Sequence, residues 1–401
     1  MPHALAQAVE IATTALAVAG MGYFLASLVA ARVFLHKRRA SQAAFAPTVS
    51  ILKSLKGLDP GMLDAFRSHC RQNYKGEYEL LFGVSSRDDP AAAAVDQLQS
   101  EFPDRAIRLV ECPEKLGANG KVSTLAQLIP SARYEFLLIN DSDITVSPRY
   151  LERVMACFAP APLSQSKEQK PVGLVTALYR GRAHRTLLSR PTLPSRFEAL
   201  GIATDFQAGV LLSKLIEGGL HYALGSTLAV RRDALVKIGG LLPLVDLLAD
   251  DYELGARVAQ AGYRVALSSE VVETAVPEYR WSGFFDHQLR WLRTVRDARP
   301  AGYAGLIFTH GLSWAALNVI ASGVSPFSVW LLGISFFLRL AQAMTVGAAV
   351  LGDRQVLANL WLLPARDALA MALWAAGFAG NTILWRGERF VLQNGKLHKA
   401  A

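Results

Sequence analysis

Residues 11–31 run for 21 positions without a charged side chain, and Arg32, His36, Lys37, Arg38 and Arg39 follow within one or two turns. About 20 apolar residues suffice to cross the hydrocarbon core of a bilayer as a helix. A cleaved signal peptide would carry its basic residues before the apolar run and a small-residue cleavage site after it. Here the charges come after, so the run reads as an uncleaved anchor. The positive-inside rule then puts the following region on the cytoplasmic side. The length and the basic flank argue against a buried core helix.

A second uncharged stretch, 301–338, is too long for one span, and Pro326 is a natural turning point. It reads as two helices, near 304–325 and 327–350. Arg339 falls inside the second and has to snorkel or face protein, because a bare charge in lipid is costly. A third apolar region, 356–385, is interrupted by Pro364, Arg366 and Asp367. A span there would put the basic tail WRGERFVLQNGKLHK outside, against the positive-inside rule, so a re-entrant or interfacial helix is expected. The apolar excess thus lies at the two ends of the chain. With 52% hydrophobic and 19% charged residues, the composition suits membrane segments joined to a soluble part.

The net charge of +9 fits attraction to anionic headgroups. No basic stripe with interleaved aromatics and no nucleic-acid motif is present, so nucleic acid is not an expected partner. Cys70, Cys112 and Cys157 are scattered without CxxC spacing, which suits free thiols.

Between about 47 and 300 the pattern alternates. TVSILKSL, YELLFGVSS, AIRLVECP and YEFLLIND read as strands, separated by GMLDAFRSHCRQ, RDDPAAAAVDQLQSEFP and KVSTLAQLIPSA as helices or turn-plus-helix. This predicts an α/β fold with a mainly parallel sheet covered on both faces, whose ligands sit beyond the carboxyl ends of the strands. GLVTALYRG and SSEVVETAV read as further strands. ALGSTLAVRRDALVKIGGL reads as a strand and a short helix, and LADDYELGARVAQAGY as a helix; 160–171 is an expected loop. Polar residues gather at the ligand-binding edge: 53–59, Arg87-Asp88-Asp89-Pro90 and Asp141-Ser142-Asp143.

Asp141 and Asp143, one residue apart off the end of an apolar strand, suit a hard divalent cation such as Mg²⁺ or Mn²⁺ bridging to a diphosphate. Asp-Ser-Asp is equally a turn and helix-start sequence, and alone it would be read so. About a hundred residues later, Asp250 and Asp251 stand at an expected helix start. There acids complement the helix dipole, or supply a general base for an acceptor hydroxyl. His287-Gln288-Leu289-Arg290-Trp291 lies just before the second apolar region. Its Arg can hold a phosphate and its Trp can stack, or the pair can form a juxtamembrane belt.

The order Asp-Asp-Pro, Asp-X-Asp, Asp-Asp-Tyr and His-Gln-Leu-Arg-Trp resembles the ceramide glucosyltransferase-like glycosyltransferases, most of all their bacterial hopanoid-associated branch. LKSLKGLDPGM, GANGKVSTL, GLVTALYRG, ALGSTLAVRR, IGGL and WRGERF support the likeness over residues 50–392. The resemblance implies a GT-A nucleotide-diphosphosugar transferase domain with N- and C-terminal transmembrane helices. It divides the chain into an anchor and basic flank (1–46), a cytoplasmic catalytic domain (47–300) and C-terminal membrane or interfacial helices with a basic tail (301–401). It also implies transfer of a sugar from a UDP-sugar to a lipid hydroxyl, at the inner membrane of a bacterium.

By the same resemblance Asp89 lies near the nucleotide and Lys121 near the donor. Asp141 and Asp143 hold the metal and diphosphate, Asp251, beside Asp250, is the base, and Arg290 and Trp291 hold the diphosphate or acceptor. The chain departs from the family at His287, where Gln or Arg is usual, with Gln288 next to it. Gly120 and Ser54 stand where Pro is common. A processive polysaccharide synthase would need more spans than are seen here. A non-enzymatic scaffold is disfavoured because all the acidic and Arg-Trp stations are present.

Overall fold

Strands β1 (Val49–Ser54), β2 (Tyr78–Val84) and β4 (Phe136–Ile139) are buried along nearly their whole length. Continuous burial of this kind belongs to strands covered on both faces. The computed structural model describes residues 2–39, 45–160, 170–183, 191–385 and 387–399, so the expected loop at 160–171 falls mostly outside the described residues. β3 (Ala106–Glu111) completes the parallel half, with helices α2 (Met62–Cys70), α3 (Ala91–Glu101), α4 (Gly120–Leu128) and α5 (Tyr150–Met155) as connections and cover.

The second half adds β5 (Val172–Ala183), β6 (Leu228–Arg231) and β7 (Arg264–Val276), giving the order β3-β2-β1-β4-β6-β5-β7. β6 is antiparallel to both neighbours, whereas β5 and β7 pair in parallel. The winding reverses between β1 and β4, the topological switch point at which α/β sheets place their ligands. Helices α8 (Arg232–Lys237) and α9 (Asp250–Gln260) follow β6.

Four helical segments among the described residues are long and apolar enough to cross a membrane: Ala4–Arg38, Leu193–Ile216, Pro326–Val350 and Arg354–Gly377. The first lies within α1 (Pro2–Arg39). The second corrects the expectation that the apolar excess lies only at the ends. It comprises α6 (Leu193–Gly201), a π-helical turn Ile202–Phe206 and α7 (Gln207–Ile216), between β5 and β6. Arg196, Glu198 and Asp205 interrupt its apolar character, so a search for uncharged runs passes over it.

After α10 (Trp281–Ala298), the helix expected near 304–325 is bent by 57° between Pro300–Thr309 and Gly311–Ala321, which contain α11 (Pro300–Gly305) and α12 (Gly311–Ala321). α13 (Pro326–Ala343) continues through a second π-helical stretch to Val350.

α1, α12 and α13 pack together. A Cβ on Gly20 would lie 2.2 Å from the Cα of Gly311, so the backbones touch there as small residues allow. Asn318 Nδ2 donates to Glu10 O, Thr13 Oγ1 and Thr14 Oγ1 near the far end of α1. Arg38 Nη1 reaches Val350 O at 2.9 Å at the near end. Ala30, Ala31 and Phe34 belong to the same buried core as the sheet, so α1 enters the α/β unit rather than ending beside it.

Arg339 is 2% exposed and faces protein. Its guanidinium holds Asp367 through two bonds of 2.8 Å and also pairs with Asp205, while Arg366 lies 3.2 Å from Asp205. Asp367 and Arg366 come from the last apolar segment, α14 (Arg354–Asn359) and α15 (Leu363–Gly377). Both ends of that segment are tied down by distant arginines: Arg180 of β5 donates to Leu351 O and Gly352 O, and Arg296 of α10 to Gly377 O.

The basic tail forms an antiparallel sheet of β8 (Thr382–Trp385), β9 (Glu388–Gln393) and β10 (Lys396–Lys399). It docks on the loop before α9 through Leu248 N to Gly395 O and Leu397 N to Asp246 O. The side chains of Leu248, Ile383, Phe390, Leu392 and Leu397 pack together beneath it.

Candidate active site

β4 ends at Ile139, and the next residue, Asn140, is a buried amide that donates to Ser226 O at 2.6 Å and to the Tyr150 hydroxyl at 2.9 Å. Fixing that side chain fixes where the chain turns out of the sheet. The next three residues therefore project from the carboxyl edge rather than into the core. Ser142 Oγ donates to Asp59, in the loop after β1, at 2.5 Å.

Asp141 and Asp143 point to different partners. Asp141 Oδ1 lies 2.6 Å from Lys121 Nζ, and its side chain is 42% exposed. Asp143 Oδ2 accepts from Thr274 Oγ1 at 2.5 Å and Ala275 N at 3.0 Å, which pins it to the end of β7. Burial, and then the Asp141 charge, raise the Asp143 carboxyl above the ordinary Asp range. Like charge this close disfavours ionising both, a penalty that a cation relieves.

Lys121 rides on the first turn of α4. Asn119 caps that helix, accepting from Val122 N at 3.2 Å, and donates through Nδ2 to Leu247 O at 2.8 Å. Lys121 also lies 3.6 Å from Asp250 Oδ2, so one ammonium joins an acid after β4 to an acid at the start of α9. Gly120 occupies the first helical position, where a Cβ would meet nothing within 4 Å. Pro is welcome at that position, so Gly for Pro there changes stiffness without crowding.

Asp251 accepts from Gly225 N at 2.7 Å and from Tyr252 N at 2.8 Å. A Cβ on Gly225 would sit 3.0 Å from Asp251 Oδ2, and one on Gly255 would lie 2.3 Å from Ala223 N. The glycines of ALGST and YELG therefore let α9 settle against this loop. Burial and the neighbouring Asp250 push the Asp251 carboxyl up to about 6, with Lys121 pulling it down. A carboxylate poised near neutrality is suited to taking a proton.

Asp89 is a cap and a brace. It accepts from Gly57 N at 2.9 Å in the loop after β1 and from Ala91 N at 2.9 Å at the start of α3. Asp89→Ala is expected to cost about 1–2 kcal/mol, the usual worth of such a cap, read as a lowered Tm.

The structure brings Asp141, Lys121, Asp250 and Asp251 into one cluster. It places His287 and Gln288 elsewhere, on α10 against Glu198 of α6: Gln288 Nε2 donates to Glu198 Oε2, and His287 Nδ1 is 3.4 Å from Glu198 Oε1. Among the described residues, the contacts of these two side chains are with Glu198, Tyr279 and Trp291 rather than with the Asp141 cluster. Trp291 packs on Phe206 at 5.8 Å and His287 at 5.2 Å. Arg290 lies on the same helix, and its charge reaches the Tyr279 phenol.

Lys53, one of the polar residues at the sheet edge, also stands in the site. It is the penultimate residue of β1, is fully buried, and donates to Asp141 O at 2.9 Å. Burial lowers its ammonium to about 7, against the pull of Asp143 and Asp141. The signal was a lysine at the carboxyl end of an otherwise apolar strand, which sequence cannot tell from a surface lysine.

No group of three or more His, Cys, Asp or Glu side chains positioned to hold a metal occurs among the described residues. Asp141 and Asp143 do fit a hard cation that takes its remaining ligands from a diphosphate and water, the habit of Mg²⁺. Their Oδ2 and Oδ1 atoms, respectively, are not the ones engaged by Lys121, Thr274 and Ala275.

The chain is 25% identical over 366 residues to ceramide glucosyltransferase 3 of Caenorhabditis elegans, covering 86% of this chain and 73% of that protein. It is 21% identical over 364 residues to ceramide glucosyltransferase 1 of the same organism, covering 87% and 72%. Among solved structures, the mannosyltransferase PcManGT from Pyrobaculum calidifontis, in complex with GDP-Man and Mn²⁺, superposes with a TM-score of 0.53 at 19% identity, covering 92% of this chain and 97% of that one; the likeness shows a shared GT-A-like fold. The family model of glycosyl transferase family 21 matches residues 12–398, and with that match over nearly its whole length the chain belongs to glycosyl transferase family 21.

Proposed function

We propose that this family 21 glycosyltransferase is a membrane-anchored, metal-dependent, inverting enzyme that moves glucose or N-acetylglucosamine from a UDP-sugar to a lipid hydroxyl. The observation that carries the reading is the Lys121 bridge between Asp141 and Asp250. It sets a donor-side acid and the acid pair of α9 on two lips of one cleft, at the sheet's switch point. Mn²⁺ accompanies the nucleotide sugar of PcManGT, which supports a divalent cation here.

In this reading Asp251 takes the acceptor hydroxyl's proton as that oxygen attacks the anomeric carbon from the face opposite UDP, which inverts the configuration. Lys121 and Lys53 offset negative charge beside the diphosphate. Asp141 and Asp143 would hold Mg²⁺ or Mn²⁺, which when bound neutralises the leaving diphosphate. Asp89, Arg290 and Trp291 are the further residues we assign to donor or acceptor.

We divide the chain functionally as 1–46, 47–300 and 301–401. α1, the bent pair Pro300–Thr309 with Gly311–Ala321, and Pro326–Val350 are the spans, and the Arg354–Gly377 helix lies along the membrane face of the catalytic unit. The contacts of that helix with the catalytic unit at both ends support this, as does the docking of the basic tail beside α9. The catalytic unit faces the cytoplasm at a bacterial inner membrane. The motif resemblance favours a hopanoid acceptor, and the names of the two nematode relatives favour ceramide as the second reading.

The test is release of UDP from a panel of UDP-sugars with Mg²⁺ or Mn²⁺, with and without hopanoid or ceramide, using detergent-purified protein. Lipid-dependent release is expected with one donor, and Asp143→Ala is expected to lower it at least 100-fold. Metal-independent turnover in that variant would remove Asp143 from the mechanism.

A further inference from the structure

Residues 245–248 lead into α9 and make hydrogen bonds on both of their edges. On one edge Val245 O accepts from Asn119 N at 2.7 Å, Leu247 O from Asn119 Nδ2 at 2.8 Å, and Asp246 Oδ1 from Ala118 N at 2.9 Å. These bonds tie the segment to the start of α4, which carries Lys121. On the other edge Asp246 O accepts from Leu397 N at 2.8 Å, and Leu248 N donates to Gly395 O at 3.2 Å. Successive carbonyls thus point opposite ways, as in a strand, and the C-terminal sheet takes the edge opposite α4.

The tip of that sheet is shaped by local sequence. Asn394 and Gly395 form the two-residue turn between β9 and β10, with φ of 52° and 78°. Asn-Gly is the pair best suited to a tight hairpin turn with both φ positive. The tip is seated on α10, where Asp297 Oδ2 accepts from Gly395 N. On the same helix Arg293 donates to Ala379 O at 2.8 Å and Arg296 to Gly380 O at 3.0 Å, at the entry to the sheet. A cavity of about 100 Å³ separates α9 from α10 beside Glu253 and Thr294, and the turn lies against it. The loop before α9 therefore leans on α10 through the tail. Asp250 follows Leu248 by two residues, so a shift of this loop moves the acid pair relative to Lys121, which lies 3.6 Å from Asp250.

We infer that the C-terminal sheet positions the reacting acids, with Asp297 as the residue that seats it. The Asn394-Gly395 turn holds residues 246–248, and through them Asp250 and Asp251, in register with Lys121. This rests on the transferase reading above, in which Asp251 is the base. A sheet that only stabilises the fold sets how much protein is folded. A positioning sheet sets the rate of each folded molecule.

Asp297→Ala in the full-length protein removes the acceptor for Gly395 N. kcat per UDP-binding site is expected to fall about 10- to 100-fold, because misplacing a reacting group by about 1 Å can cost on the order of 10²-fold. UDP affinity should stay within about threefold of wild type, since Asp141, Asp143 and Lys121 remain on their own elements. Asp297→Asn keeps an oxygen that can accept the same bond and should recover most of kcat. An unchanged kcat per site in Asp297→Ala, with only fewer sites or a lower Tm, overturns the proposal.

A cross-link supplies the second arm. Leu247 faces Lys396 as a non-hydrogen-bonded antiparallel pair, because the bonds run between their neighbours. Such pairs bring Cα atoms to roughly 4.5 Å, within the reach of a disulfide. Leu247→Cys with Lys396→Cys, placed in Asp297→Ala, should regain kcat when oxidised and lose it again on reduction. Reduction acts on molecules already folded, so the comparison holds even where Asp297→Ala alone folds badly. A disulfide confirmed by mass that raises Tm and leaves kcat low also overturns the proposal. Wild-type protein with no lipid-dependent UDP release defeats the transferase reading instead.

Discussion

Asp251→Asn is expected to lower kcat by roughly 10²- to 10⁴-fold, the usual contribution of a positioned general base, while leaving UDP affinity within about twofold of wild type. The amide cannot take the acceptor's proton and has nearly the same volume, though its Nδ2 replaces one of the two oxygens that accept from Gly225 N and Tyr252 N. The pH dependence adds an independent check. Because burial and Asp250 raise the Asp251 carboxyl to about 6, the base is mostly protonated, and idle, below that pH and mostly ionised above it. kcat should therefore rise about tenfold per unit on the acid side and level off above about pH 7. Asp250→Asn removes one of the causes of the shift and should move the acid limb to lower pH. A wild-type profile flat between pH 5 and 8, together with unchanged turnover in Asp251→Asn, would take Asp251 out of the reaction.

The second large effect is on stability. Arg339→Met leaves Asp367, 7% exposed, without its two guanidinium bonds. Breaking a buried pair from one side typically costs about 3–5 kcal/mol, because the remaining charge is uncompensated. That is a large part of a stability of about 5–15 kcal/mol. The variant should yield little monodisperse protein in detergent and unfold at a much lower temperature. Asp205 still has Arg366 at 3.2 Å, so the damage should centre on the contact between α13 and α15. Removing both partners, as Arg339→Met with Asp367→Leu, should recover most of the loss, since an apolar replacement of a buried pair is often neutral. A single variant as stable as the wild type would show that α13 and α15 do not depend on this pair.

Arg339 also shows how far a linear reading reaches. Its place in an uncharged stretch required either snorkelling or a protein partner. The partner came from two distant segments, Asp367 on α15 and Asp205 on the π-helical turn before α7. Nothing local in the chain marks that pairing. The turn itself lies in a membrane-length segment hidden by Arg196, Glu198 and Asp205, whose charges meet partners from distant parts of the chain: Asn359, Gln288, and Arg339 with Arg366.

The strands, the helix starts and the cleft edge were legible along the chain, because their signals are local. Period, apolar run length, capping residues and the abrupt change from FLLI to NDSD all act over a few residues. The acids Asp141, Asp143, Asp250 and Asp251 were named from that local contrast and from family resemblance. Three-dimensional folding alone decided which of them meet. Lys121 joins Asp141 to Asp250 because Asn119 ties the start of α4 to Leu247 O. Asp143 turns to β7, and His287 and Gln288 turn away to Glu198. It also placed Lys53 in the site and folded the basic tail against the loop that carries the acid pair. Local chemistry along the chain determines where the sheet ends and which groups stand there. Burial, and the partners brought from a hundred or more residues away, determine their charge states, and those could be decided only by the tertiary structure.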